Sequence, residues 1–215
     1  TDITKIDSSS IDNPASDTTI EKINVKKILV TGERVSGKYT LALSLALSLF
    51  QLDLKVNIFD LTDNSSFKNI KDSGVDCNYL DVSSFENSPN LVSLHINSLG
   101  QKAINVITGD SELTLEYSLI LQNVYGMSNV YPDYEIYIIN LSRLELLNLS
   151  EFEKIFVTVA TDKKYLESTC SLLSTKLKNK IRNCVVKIVP MSLLQFSSNY
   201  DMLPKEFFEN LFQQT

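Results

Sequence analysis

Thr31-Gly32-Glu33-Arg34-Val35-Ser36-Gly37-Lys38-Tyr39-Thr40 is the stretch on which the reading of this chain turns. It has both glycines and the lysine of the pattern G-x-x-x-x-G-K-[ST], but Tyr39 stands where a Ser or Thr hydroxyl normally meets Mg²⁺. Before it, Lys26 to Val30 (KKILV) reads as a buried strand; after it, Leu41 to Phe50 (LALSLALSLF) reads as an apolar helix. Strand, glycine loop and helix in that order make a plausible anion site, because loop amides and a helix N-terminus converge on a phosphate. The candidate phosphate-contacting residues are Gly32, Arg34, Ser36, Gly37, Lys38, Tyr39 and Thr40.

Outward from the loop, apolar strands alternate with helices. The pattern predicts strands at 27–31, 55–60 (KVNIFD), 103–108 (AINVIT), 134–140 (YEIYIIN), 153–160 (EKIFVTVA) and 183–189. Helices are expected at 37–51, 111–124, 162–178 and 204–213, and residues 62–100 read as polar and irregular, with short helical or strand pieces at most. Such an order implies an α/β fold, a mostly parallel sheet with helices on both faces. Ligands of these sheets lie beyond the carboxyl ends of the strands, and the Gly32–Lys38 loop leaves from one of them.

Composition narrows the function classes. The chain has 215 residues, 43% hydrophobic and 21% charged, which is globular and sufficient for a real core. A net charge of -6, with no face rich in Lys or Arg, argues against nucleic acid as a partner. Ser44, Ser48 and Gln51 interrupt the longest apolar stretch, so nothing approaches a membrane-spanning length. Cys77, Cys170 and Cys184 have no CxxC spacing, and His95 is the single histidine; this excludes a Cys/His zinc cluster and is expected to leave the cysteines packed as small apolar groups. No metal-ligating set is assigned, and a reduced, cytoplasmic setting is expected. Residues 1–24 are rich in Ser, Thr, Asp and Asn and read as a flexible tail or interdomain linker, with the globular domain at 25–215. The polar start without Met is expected to mark a piece of a longer chain.

The order of these pieces resembles the ParA/MinD group of P-loop ATPases over about residues 26–213. VNIFDLTDNSSF resembles that group's second strand and its Asp-containing motif, INVITGDSEL its strand followed by a Gly/Ser element, YEIYIINLSRL its Walker B strand, and EKIFVTVATDKKYLEST its next strand and helix. Among subgroups, the TadZ/CpaE pilus-assembly localisation ATPases are the most similar, and their upstream receiver-like domain would suit a tail such as 1–24. The resemblance implies a nucleotide cofactor, ATP or ADP, with Mg²⁺, and a homodimer that meets protein partners.

Departures from the family's pattern fall on one functional system. Glu33 occupies the position of the second, partner-reaching lysine, with Arg34 beside it. Val35 stands where the family prefers glycine, which narrows the approach of phosphate to backbone amides. Tyr39 replaces the Mg²⁺-binding hydroxyl, and Thr40, one residue on, points elsewhere on a helix. Asn140 replaces the terminal Walker B Asp and loses the charge that recruits a divalent cation. Asp60 survives as the family's activating carboxylate.

Each residue also has a plainer reading. Lys38 is a phosphate ligand or a helix-start lysine in a vestigial loop, with the two level. Asp60 is the catalytic carboxylate if the site is active, and otherwise a cap on the following turn. Tyr39 packs or stacks on a base, and Asn140 is best read as a satisfied polar strand end. The apolar stripe Phe207, Phe208, Leu211 and Phe212 has only Lys205 against Glu206 and Glu209, so core or protein contact is expected instead of direct membrane insertion. The expected function is a degenerate scaffold or localisation component, in pilus or secretion-machine assembly, that binds nucleotide weakly or not at all and does not hydrolyse it. Two alternatives are an active ATPase in which Arg34 and Asp60 compensate, and a tyrosine-kinase relative. The latter lacks a C-terminal tyrosine cluster, and cysteine placement excludes iron–sulfur carriers of the fold.

Overall fold

The KKILVTG segment forms strand β1 (Lys26–Gly32), whose last five residues are all buried in a computed structural model of the chain. The structure describes residues 25–33, 36–62, 78–85, 104–128, 131–159, 167–171, 173, 175 and 185–190. After β1 come α1 (Lys38–Gln51), β2 (Val56–Asp60), β3 (Asn78–Asp81), β4 (Ile104–Thr108), α2 (Ser111–Ser128), β5 (Tyr134–Asn140), β6 (Lys154–Val159) and β7 (Val185–Pro190). The seven described strands form one sheet in the order β3-β4-β2-β5-β1-β6-β7, and every neighbouring pair is parallel. A parallel sheet needs cover on both faces, and the run of buried Val, Ile and Leu in its central strands reflects that.

One face packs against α1, where Ile28, Val30, Ile58, Val106, Ile138 and Phe156 meet Leu41, Ala42, Leu45, Ala46 and Leu49. The opposite face sets Leu29, Phe59, Ile107, Tyr137 and Val157 against Tyr117, Leu121 and Tyr125 of α2, with Leu141, Leu144, Leu149 and Phe152 from the 3-10 turns after β5. Phe59 stacks on Tyr137 at 4.9 Å between ring centroids, and Phe152 meets Tyr137 edge-on at 5.3 Å. The serines within α1 do not break it: Ser48 Oγ returns its hydrogen to the Ser44 carbonyl, four residues back. The helix ends where Asp53 turns left-handed at φ 61° while Leu52 and Asp53 donate to the carbonyls of Leu49 and Phe50.

Six strands were expected from the pattern; the additional one is β3, a four-residue edge strand inside the irregular 62–100 region. It is too short and polar (NYLD) to register as a periodic segment, and pairing with β4 defines it. The second helix runs four residues beyond its expected end, to Ser128. Of the helix expected at 162–178, residues 167–171, 173 and 175 are described and are helical. The 1–24 tail and the 204–213 helix with its Phe207–Phe212 stripe lie outside the described residues. Cys170 is exposed and not packed, a correction to the expected role of the cysteines; Cys77, Cys184 and His95 fall outside the described residues. No helix among the described residues is long and apolar enough to cross a membrane.

A polar row crosses the sheet near the amino ends of its strands, on the face that α2 covers. Successive register partners are Lys27, Glu135, Asn57, Asn105 and Asn78. Asn78 Nδ2 donates to Asn105 Oδ1 at 2.9 Å, Asn105 Nδ2 donates to Asn57 Oδ1 at 2.6 Å, and Asn57 Nδ2 donates to the Tyr125 hydroxyl on α2. The Tyr137 hydroxyl donates to Glu135 Oε2 at 3.0 Å and accepts from Gln122 Nε2 at 3.3 Å, while Lys27 pairs with Glu151 at 3.1 Å. The amides and phenols of this row are each partnered, whereas the buried Tyr117 hydroxyl of α2 has no partner among the described residues.

Candidate functional site

The loop leaves β1 between β5 and β6, at the carboxyl edge of the sheet. Gly32, the register partner of Asn140 and Thr158, has no room for a side chain: a Cβ there would lie 2.2 Å from Ser36 Oγ and from Thr158 Oγ1, and 2.6 Å from the Thr158 carbonyl oxygen. The Thr158 hydroxyl has two acceptors in reach of its one proton, Ser36 Oγ at 2.6 Å and the Thr31 carbonyl at 3.1 Å. The start of the loop is thereby tied to β6.

Three donors converge on the Glu33 carbonyl: Ser36 N at 3.2 Å, Ser36 Oγ at 2.8 Å and Lys38 Nζ at 3.0 Å. Lys38 opens α1 and is 1% exposed, with its ammonium 5.1 Å from the centroid of the Tyr39 ring. Gly37 precedes it at φ 79°, a left-handed conformation that favours glycine. Among the described residues no side chain caps α1, and its first turn has no acidic residue. In α2, by contrast, the Asp110 carboxylate takes the amides of Glu112 and Leu113.

Tyr39 turns its hydroxyl to Thr62 Oγ1, and Thr62 donates from both its amide (3.0 Å) and its hydroxyl (2.6 Å) to Asp60 Oδ1. Asp60 is fully buried at the end of β2, and its carboxylate caps the turn that follows. Thr40 is exposed on α1, away from this chain of contacts. Asn140 ends β5 and begins a 3-10 turn without a side-chain cap bond. Ser36, Gly37, Lys38 and Tyr39 are thus brought together with Thr62 and Asp60, while Arg34 and Val35 lie outside the described residues.

Sequence reasoning missed Thr62 and Thr158. Thr62 sits two residues after Asp60 in DLTD, the spacing of a side chain that caps its own turn, so a signal was present. Thr158 is a single hydroxyl in an apolar strand, and nothing local connects it with Ser36.

Mg²⁺ prefers six oxygens in an octahedron, with one or two carboxylates among them. The residues here do not fit that demand. Position 39 presents a phenol already bonded to Thr62, Asn140 has no charge, and Asp60 accepts twice from Thr62. Among the described residues no three His, Cys, Asp or Glu side chains come together as a metal site.

A parallel sheet with a glycine loop and apolar helix after β1 defines the α/β P-loop class. Within it, the fold is of the ParA/MinD type. The chain is similar to a ParA family ATPase from Chlorobium tepidum TLS, with a TM-score of 0.55 and 14% identity over 77% of this chain and 73% of that one. It is also similar to a plasmid partition protein from Borrelia burgdorferi, with a TM-score of 0.50 and 16% identity over 88% of this chain and 87% of that one. At such identities the likeness is one of fold. No protein-family model matches the sequence, and no curated protein matches it.

Proposed function

We propose that the chain is a ParA/MinD-like scaffold or localisation component that does not hydrolyse nucleotide and whose loop retains weak affinity for ATP or ADP. The observation that carries this reading is the contact chain Tyr39–Thr62–Asp60, which commits the groups a catalytic metal would need. Phosphoryl transfer depends on a held metal and on charge stabilisation in the transition state. Lys38 supplies one cation, and Asn140 adds no charge to anchor a second.

In this reading the domain spans 25–215, follows the 1–24 tail, and acts in the cytoplasm through protein contacts that include pairing with a second copy. Pilus or secretion-machine assembly is the setting that the TadZ/CpaE resemblance suggests. The test is release of phosphate from ATP with Mg²⁺, over a protein-free control. No release above control is expected; release abolished by Lys38→Ala overturns the reading in favour of an active ATPase.

A further inference from the structure

We propose that Tyr39 stands in place of the divalent cation's protein ligand and fixes Lys38 instead, so that a nucleoside diphosphate binds without metal. The inference rests on the reading that the loop still accepts nucleotide. In a metal-dependent loop the residue after the lysine lends a hydroxyl to the cation, and the cation balances phosphate charge. Here the same position does two other things. Its ring lies beside the Lys38 ammonium, 5.1 Å away, and its hydroxyl is anchored through Thr62 to Asp60 at the end of β2.

The ring is therefore a fixed wall for the lysine, and the anchor is the carboxylate that the resemblance makes catalytic. Lys38 is held on two sides, by the ring and by the Glu33 carbonyl at 3.0 Å. An ammonium set in place needs no cation to orient the phosphates it meets. It exchanges the Glu33 carbonyl for a phosphate oxygen, a stronger, charge-assisted acceptor, while Ser36 N and Oγ continue to satisfy Glu33. Tyr39 acts through Lys38 and is a positioning residue.

A metal that the protein does not hold can act only on the free ligand, where it neutralises charge that Lys38 would otherwise meet. Magnesium is thus expected to leave affinity unchanged or to weaken it. The opposite sign is expected wherever protein and phosphates share the ion.

The experiment is calorimetric titration of the whole chain with ADP, once in EDTA and once in magnesium chloride. Binding in EDTA at least as tight as in magnesium is expected. In the double variant Tyr39→Thr/Asn140→Asp, which returns a hydroxyl and a carboxylate to the metal's side, the ratio is expected to move about tenfold toward magnesium. Comparing the two buffers within each protein cancels any loss of folded fraction, which circular dichroism also monitors. Magnesium-dependent binding by the unaltered chain overturns the proposal, and so does a double variant whose ratio does not move. No ADP binding in either buffer overturns it too, yet leaves the scaffold reading standing; magnesium-dependent binding with ATP turnover overturns both.

Discussion

The hydroxyls of Ser36 and Thr158 lie 2.6 Å apart and join the glycine loop to β6 across 122 positions of sequence. Gly32 fits beneath that bond only because it has no Cβ. Gly32→Ala is expected to destabilise the protein by about 1–3 kcal/mol, since one of the clashing atoms is the Thr158 carbonyl, which cannot rotate aside. Urea denaturation measures this, and a variant as stable as the parent contradicts the packing described.

Lys38→Met separates the lysine's structural part from its binding part. The buried ammonium meets a carbonyl and a ring, and methionine removes its desolvation cost along with those contacts, so stability is expected to shift by no more than about 1 kcal/mol in either direction. ADP affinity is expected to vanish. Thermal denaturation and titration on the same sample check both; a stability loss of several kcal/mol would make Lys38 a structural residue.

The asparagine row predicts strong coupling. Asn105→Ala leaves the Asn57 carbonyl and the Asn78 amide without their partner, at a cost of about 1–3 kcal/mol. A double-mutant cycle with Asn57→Ala is expected to return an interaction energy of about 0.5–3 kcal/mol. Additive losses would mean that the two amides act independently.

Glu135 predicts a pH dependence. Burial pushes its carboxyl above the ordinary 4.5, against the smaller pull of the Lys27 ammonium and the Tyr137 hydroxyl, and Glu151 adds to the rise. Between the unfolded and the folded value, the native state binds more protons than the unfolded one. The carboxyl's contribution is therefore complete below about 4.5 and is lost as pH rises through the folded value. Glu135→Gln is expected to flatten this fall and to raise stability at neutral pH relative to the parent. Denaturant midpoints at a series of pH values test it, and a steeper fall in the variant reverses the sign.

Much of this fold is legible in the chain itself. KKILV, YEIYIIN and KIFVTV are apolar runs of strand length, a helical segment follows the first, and a parallel sheet covered on both faces buries such strands. The place of the glycine loop at the end of β1 follows from the same order, and so do the residues that stand against a metal, Tyr39 and Asn140. NYLD was not legible, because an edge strand of four residues is defined by its neighbour β4 and not by a period of its own.

Periodicity and glycine spacing are local properties, and they suffice for the layering of the sheet and the kind of loop it carries. What the loop's side chains hold depends on contacts that form when the chain folds. Register across β1, β5, β2 and β4 sets Lys27, Glu135, Asn57 and Asn105 in one row, and the fold brings Thr62 to Tyr39 and Thr158 to Ser36. A hydrogen bond between residues distant in sequence leaves no mark on either segment, since each hydroxyl or amide could equally have faced water until the strands paired.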